Sequence, residues 1–441
     1  MPAQRLERVP LRHVIAAFAG NALAFYDFVT FSYFSVDIGR TFFPSRDPAT
    51  SLLASLAVFG IGFLARPFGA IVIGRWGDRA GRVPAMMLSF ALMGLAIFVM
   101  VLTPSYASIG IAAPIIVVAS RLVQGFALGG EIGPTTAFVA ELVPPRARGF
   151  YLSMQLAMQD VAQLAAGIIG VILASALSEQ QLSAWGWRAA MLIGVSIVPF
   201  VLYVRRSLPE TLGAEDRAAA PAEAQVQARR IRPYLPLLIL SVLIFACGTI
   251  GSYSLSYMTT YARSTLHLAT TVAFGFTIVN GAVSIATEIA SGWLSDRFGR
   301  KPVMFIPGVL LLVSIWPCYW VIGHFHSTYA LYGAETVMVF FAGVSSIPIM
   351  VALTEQLPAS ARSGAVAIVY SFAIAVFGGS TQWVITKLIA ITGNPLAPAW
   401  YWTAATFIGL VAILLMRESA PVKAARLSTP SSGTRPSPDP P

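Results

Sequence analysis

The chain has 441 residues, 56% of them hydrophobic and only 11% charged, with a mean hydropathy of +0.74. Soluble domains carry roughly a quarter charged residues, so this composition excludes a water-soluble globular protein and points to a polytopic helical membrane protein. The formal net charge of +10 then speaks to topology rather than to nucleic acid, because in a membrane chain the position of each cation matters more than the total.

The basic start MPAQRLERVPLRH precedes a helix-length apolar run that contains Asp27. That combination reads as a retained first span, not a cleaved leader. Hydropathy and helix breakers predict six spans at 14–36, 51–74, 84–103, 109–140, 150–177 and 188–204. A charged, Ala-rich stretch at 205–233 reads as a linker on the N-terminal side of the membrane. Six more spans follow at 234–261, 271–294, 303–323, 329–353, 363–390 and 398–416. The Pro/Ser-rich tail, 417–441, is expected to be disordered. The fold class is therefore all-α integral membrane, with an N-terminal six-helix unit over 1–204 and a C-terminal one over 234–416.

Most of the 29 Lys and Arg residues fall on the side of the N-terminus, and the other side holds only Arg40, Arg46, Arg188, Arg263 and Lys387. Cytoplasmic loops carry such an excess, so both termini are expected in the cytoplasm and the chain in the cell inner (plasma) membrane. Cys247 and Cys318 both lie in apolar segments and argue for neither a disulfide nor a metal site. The four histidines sit at span ends or loops, and no nucleophile and base stand at a meaningful spacing, so no catalytic group, metal or cofactor is expected.

Two motifs recur. GRWGDRAGR at 74–82 returns as GWLSDRFGR at 292–300, and ELVPPRARG at 141–149 returns as EQLPASARSG at 355–364, at nearly the same offset. Both pairs fall on the same side of the membrane by the charge count. Two repeated halves facing the same way are the parallel repeat of a transporter that rocks about a central site.

The hinge pair resembles the signature of the major facilitator superfamily between its second and third spans, and RLVQGFALGGE at 121–131 resembles that superfamily's fourth-span motif. GNALAFYDF at 20–28, FLARPFGA at 63–70, WGWR at 185–188 and RRSLPET at 205–211 are similar to the metabolite:proton symporter family within it. RTFFP at 40–44 and the run 352–382 look nearest to its citrate and tricarballylate members. The resemblance implies two pseudo-symmetric six-helix bundles and import of a small polycarboxylate with protons by alternating access. It departs from the family where Ala24, Asp160 and Ala189 stand in place of a usual Glu, Gln and Pro. The long C-terminal coiled coil of osmosensing relatives is also missing.

A lone charge at mid-bilayer costs about 2.5–3.5 kcal/mol, so it normally faces a partner or water. The reading places Asp27, Arg66, Arg121, Glu131, Asp160 and Glu288 within spans. At about 1.5 Å of rise per residue, Arg66, Glu131 and Asp160 share one level, with Asp27 and then Arg121 further from the N-terminal side. For a polycarboxylate, Arg121 is the expected ligand because its planar fork grips a carboxylate bidentately; the alternative is that it only balances Asp27 or Glu131. Arg66, Gln124, Gln155, Gln159, Tyr26, Tyr253 and Tyr257 complete the expected substrate set. Asp27, Glu131, Asp160 and Glu288 are the expected proton-coupling carboxyls. Asp78, Arg79, Arg82, Asp296, Arg297 and Arg300 are the expected gating residues, each Asp accepting from Arg groups and capping a neighbouring helix. Gly125 and Gly129 read as close helix packing.

The expected partners are an organic acid, protons and the bilayer, with no nucleic acid, and a monomer is expected. Carriers of dicarboxylates, monoacids or zwitterionic osmolytes remain open, as does a sensor that does not transport.

Overall fold

A computed structural model describes residues 11–142, 148–200, 203, 232–357 and 359–419. The described residues form twelve long helical rods, eleven of them long and apolar enough to cross a membrane. They are α1 (Leu11–Tyr33), α2 (Pro48–Gly77), α3 (Arg82–Leu102), α4 (Ala112–Leu142), α5 (Arg148–Ala176) and α6 (Glu179–Phe200), then α7 (Leu235–Ser264), α8 (Thr270–Phe298), α9 (Arg300–Phe325), α10 (Thr328–Gln356), α11 (359–392) and α12 (Ala397–Leu415). By length and composition α2–α12 can each cross a bilayer, and α1 supplies the twelfth span. The expected tail from 420 and the linker residues 204–231 lie outside the described residues. We call the side where α12 ends the tail face, and the other the distal face.

Local chemistry sets the helix ends. Asp47 caps α2 by accepting from the amides of Ala49 and Thr50, both at 3.1 Å, with Pro48 in the first turn where its missing N–H costs nothing. The Thr50 hydroxyl and those amides hold the Asp47 carboxyl below the usual carboxylate range. The repeated hinges end α2 and α8 identically: Gly81 and Gly299 take φ +117° and +104°, a backbone region open to Gly and strained for any residue with a Cβ. Each Gly then hands the chain directly to the next helix, α3 or α9.

Several spans are broken. α1 bends at Phe34 and continues as Ser35–Phe42, α2 breaks at Ala65 just before Arg66 and Pro67, and α10 breaks at Ile347 before Pro348. α6 begins at Glu179, earlier than hydropathy alone indicates, because a cap at Ser178 and a wide π turn at Leu182–Gly186 carry the helix through polar residues.

Large apolar side chains such as Phe68, Leu95, Ile115, Val313 and Leu415 face outward, the surface a bilayer covers. The two bundles cross at two places where small residues let backbones approach. A Cβ on Gly60 of α2 would lie 2.5 Å from the Gly379 carbonyl of α11, and one on Gly167 of α5 would lie 2.0 Å from the Thr277 hydroxyl of α8.

The distal face is closed across the bundles. Arg263 of α7 grips Asp37, Ser35 lies 3.1 Å from Thr260, and Thr270 of α8 donates to Glu179 of α6 at 3.0 Å. Deeper, Ser32 of α1 pairs with Gln382 of α11 at 2.7 Å.

Candidate functional site

The centre of the N-terminal bundle is positioned by glycine. A Cβ on Gly125 of α4 would lie 1.6 Å from the Gly62 carbonyl of α2, and one on Gly129 would lie 2.0 Å from that of Arg66. This contact of α2 with α4, the packing expected of Gly125 and Gly129, accompanies the placing of Arg66 and Arg121 against one ring, Phe28.

Asp27 and Arg121 are both fully buried and their charged groups stand 3.7 Å apart. Arg121 Nη1 donates to Gln124 Oε1 at 2.6 Å. The Arg121 guanidinium also lies 4.3 and 4.4 Å from the ring centroids of Phe28 and Phe31. Arg66 packs 4.5 Å from the Phe28 ring and 4.2 Å from the Phe63 ring. Across the bundle boundary, the Tyr253 hydroxyl of α7 is a hydrogen-bond partner of Arg66. One aromatic wall, Phe28, thus carries both cations.

The unmet valences are the informative part. Arg121 Nε and Nη2 and Gln124 Nε2 have no hydrogen-bond acceptor among the described residues, and neither Asp27 oxygen has a donor. Nε and Nη2 form one edge of the guanidinium, the edge that receives a carboxylate with two parallel bonds. Buried donors left without acceptors cost about 1–3 kcal/mol each, which an anionic ligand would offset.

A second polar group lies between α5 and α8. Asp160 and Glu288 lie within hydrogen-bond reach of each other. Gln163 donates to Asp160. It also accepts from Tyr33 at 3.1 Å and Ser256 at 3.4 Å. This pair borders a cavity of about 50 Å³ that continues into the C-terminal bundle past Asn280, Ser284, Gly251 and Ser346. Asn280, Ser284 and Glu288, spaced four residues apart on one face of α8, all line this cavity, whereas Ser291, next on α8, donates to the Val344 carbonyl at 2.6 Å.

Depth along the helices assigned Arg66 to the level of Asp160, but the structure sets Arg66 beside Arg121 and gives Asp160 to Glu288. Tyr26 is occupied elsewhere: its hydroxyl donates to the Ala190 carbonyl of α6 at 2.8 Å. Gln159 is a hydrogen-bond partner of Tyr370, and Tyr257 accepts from Thr386 at 2.9 Å. The side chains of Glu131, Gln155, Asp78, Arg79 and Arg82 lie outside the described residues.

At the tail face Asp296 accepts from Arg300 at 2.6 Å, and Arg300 also bridges to Glu355 at 2.8 Å. The cap on α9 comes from Glu418, which accepts from the amides of Arg300 (2.9 Å) and Lys301 (3.1 Å). Arg297 instead lies 5.3 Å from the ring of Trp293, which is exposed. The described part of this network lies within the C-terminal bundle.

The Major Facilitator Superfamily profile matches residues 16–287. The chain belongs to the major facilitator superfamily, a family of transporters and not of enzymes. This facilitator is 35% identical over 409 residues to a citrate-proton symporter of Klebsiella pneumoniae, covering 92% of each chain. It is 31% identical to an alpha-ketoglutarate permease of Escherichia coli, covering 92% of this chain and 93% of that one. A proline/betaine transporter of Escherichia coli is 29% identical over 93% of this chain and 85% of its own. Its fold matches the crystal structure of a D-xylose-proton symporter with a TM-score of 0.71 at 17% identity, covering 92% of this chain and 97% of that one.

Sequence reasoning missed three parts of the facilitator's interior. Phe28, Phe31, Phe59 and Phe63 form an aromatic cage whose i,i+3 and i,i+4 spacing was visible but reads equally as core. Ser32 and Gln382 meet across the bundles, which no local signal shows. Glu335, inside the apolar run GAETVMVFF, is a buried carboxyl that a complete count of charges within spans would have found.

Proposed function

We propose that the chain is a proton-coupled symporter that imports a small organic polycarboxylate, citrate or tricarballylate-like, by alternating access. The observation that carries this reading is the buried edge of Arg121, Nε and Nη2, which with the Gln124 amide has no acceptor among the described residues. A carboxylate of the substrate takes that edge, Arg66 and Tyr253 take a second acid group from the other side, and Gln159 borders the same space. Asp27 faces Arg121 directly, so protonation of Asp27 strengthens the cation's hold on the anion and deprotonation weakens it. Asp160 and Glu288 act as a relay between the bundles; Glu131, further along α4 from Arg121 and one span from Arg66, is a further candidate carrier.

The bundles 1–204 and 234–416 move as units about the glycine crossings, with the tail face in the cytoplasm, where most cations lie. The citrate-proton symporter relatives support the substrate class. Import of labelled citrate into proteoliposomes under an inward proton gradient tests it, and failure to take up any di- or tricarboxylate at any gradient would refute it. The proline/betaine relatives favour a zwitterion instead. Binding that does not increase with the number of ligand carboxylates would turn the assignment that way.

A further inference from the structure

Glu335 lies on α10 and is 0% exposed, and neither of its carboxyl oxygens has a hydrogen-bond partner among the described residues. Its helix neighbours Leu331, Met338 and Val339 belong to the apolar core of the C-terminal bundle. Within electrostatic reach are Tyr261 of α7 and Cys318 and Tyr319 of α9, none of them a cation. On α8 the titratable group facing the bundle interior is Glu288, but its level differs. Counting about 1.5 Å per residue from the distal ends, Glu335 sits about 10 Å deep and Glu288 about 27 Å deep.

An ionised carboxylate at such a place, with no donor and no cation beside it among the described residues, costs several kcal/mol, whereas the neutral acid is tolerated. A residue kept only for packing has no use for that acid. Access to water is one turn away: Val339 lines the cavity that also reaches Asp160 and Glu288.

We propose that Glu335 is a second proton-carrying site, housed in the C-terminal bundle apart from the Asp27–Arg121 pair. It takes a proton from water when the distal face is open and keeps it as that face closes. When the cavity then lengthens by a turn toward the tail face, the O–H bond breaks, water on that side accepts the proton, and the carboxylate left behind is reprotonated when the distal face reopens. Each cycle so carries one proton more than the N-terminal bundle alone would move. The proposal rests on the symport reading above.

The experiment has two arms. In proteoliposomes, Glu335→Gln is expected to retain citrate counterflow but to lose one proton per substrate, measured by reversal potential; accumulation across a one-unit pH gradient falls about tenfold. A coupling ratio equal to that of the wild type would overturn the second site alone, while wild-type transport without protons would overturn the symport reading and this proposal with it. In the other arm, substrate-free protein is titrated by infrared difference spectroscopy. A protonated-carboxyl band removed by Glu335→Gln and kept in Asp27→Asn is the expected result. A spectrum that Glu335→Gln leaves unchanged at every pH would overturn the proposal. Should Glu335→Gln fail to fold, Glu335→Asp serves: a shifted band supports the site, an unshifted one refutes it.

Discussion

Arg263 holds Asp37 with both arms of its guanidinium, Nη1 to Oδ2 at 2.7 Å and Nη2 to Oδ1 at 3.1 Å, and so ties α7 of one bundle to the α1 extension of the other. Both side chains are largely buried, which places this fork where solvent screening is weak. It is the strongest polar link across the distal face. Breaking it by Asp37→Asn should raise the distal-open population. Spin labels at Arg46 and Tyr329, both exposed at that face, would report longer distances in the variant. An unchanged distance distribution would show that the fork does not act as a latch.

Arg121→Gln should weaken citrate binding by about 10- to 100-fold, the worth of losing charge-assisted hydrogen bonds. Arg121→Lys should recover little, because an ammonium supplies a point charge and no planar fork. Calorimetric titration of both variants decides the matter; a Lys variant that binds as well as the wild type would mean that charge alone holds the ligand.

Gly125→Ala should destabilise by roughly 1–3 kcal/mol or prevent folding, since its added methyl would lie 1.6 Å from the Gly62 carbonyl. Gly333→Ala, at a position with open space around it, should be neutral or slightly stabilising because Ala favours the helix. Thermal unfolding in detergent compares the two, and equal midpoints would refute the close α2–α4 contact.

The Asp47 cap gives a pH prediction with a definite sign. Its carboxyl is held below its ordinary value of 3.8 chiefly by the Thr50 hydroxyl, so the cap's contribution is complete above that value and disappears as pH falls through the lower, folded one. Removing the hydroxyl with Thr50→Ala should move the Asp47 titration back up. Carbon-13 NMR of the labelled carboxyl measures both midpoints; a higher one in the wild type would contradict the capping geometry.

Much of the candidate site was legible one residue at a time. Asp27, Arg66, Arg121, Asp160 and Glu288 each declare themselves because a charge in an apolar run is costly wherever it points. Their pairing was not legible. Helical rise gives depth, but azimuth and choice of neighbour decide which charge meets which, and these depend on glycine contacts between helices distant in sequence.

By itself, the chain's order of residues determined the twelve apolar spans, the two-fold repeat and the turn of each hinge, since Gly81 and Gly299 permit a backbone that side-chain-bearing residues resist. Those are local matters of hydropathy, length and sterics. Tertiary structure alone decided that Arg66 joins Arg121 over Phe28, that Asp160 meets Glu288 across the bundles, and that Glu418 caps α9. It also decided that Glu335 is left without a hydrogen-bond partner among the described residues. The reason is that in a dry interior a buried charge takes its character from whatever stands within a few ångströms, and only packing sets that distance.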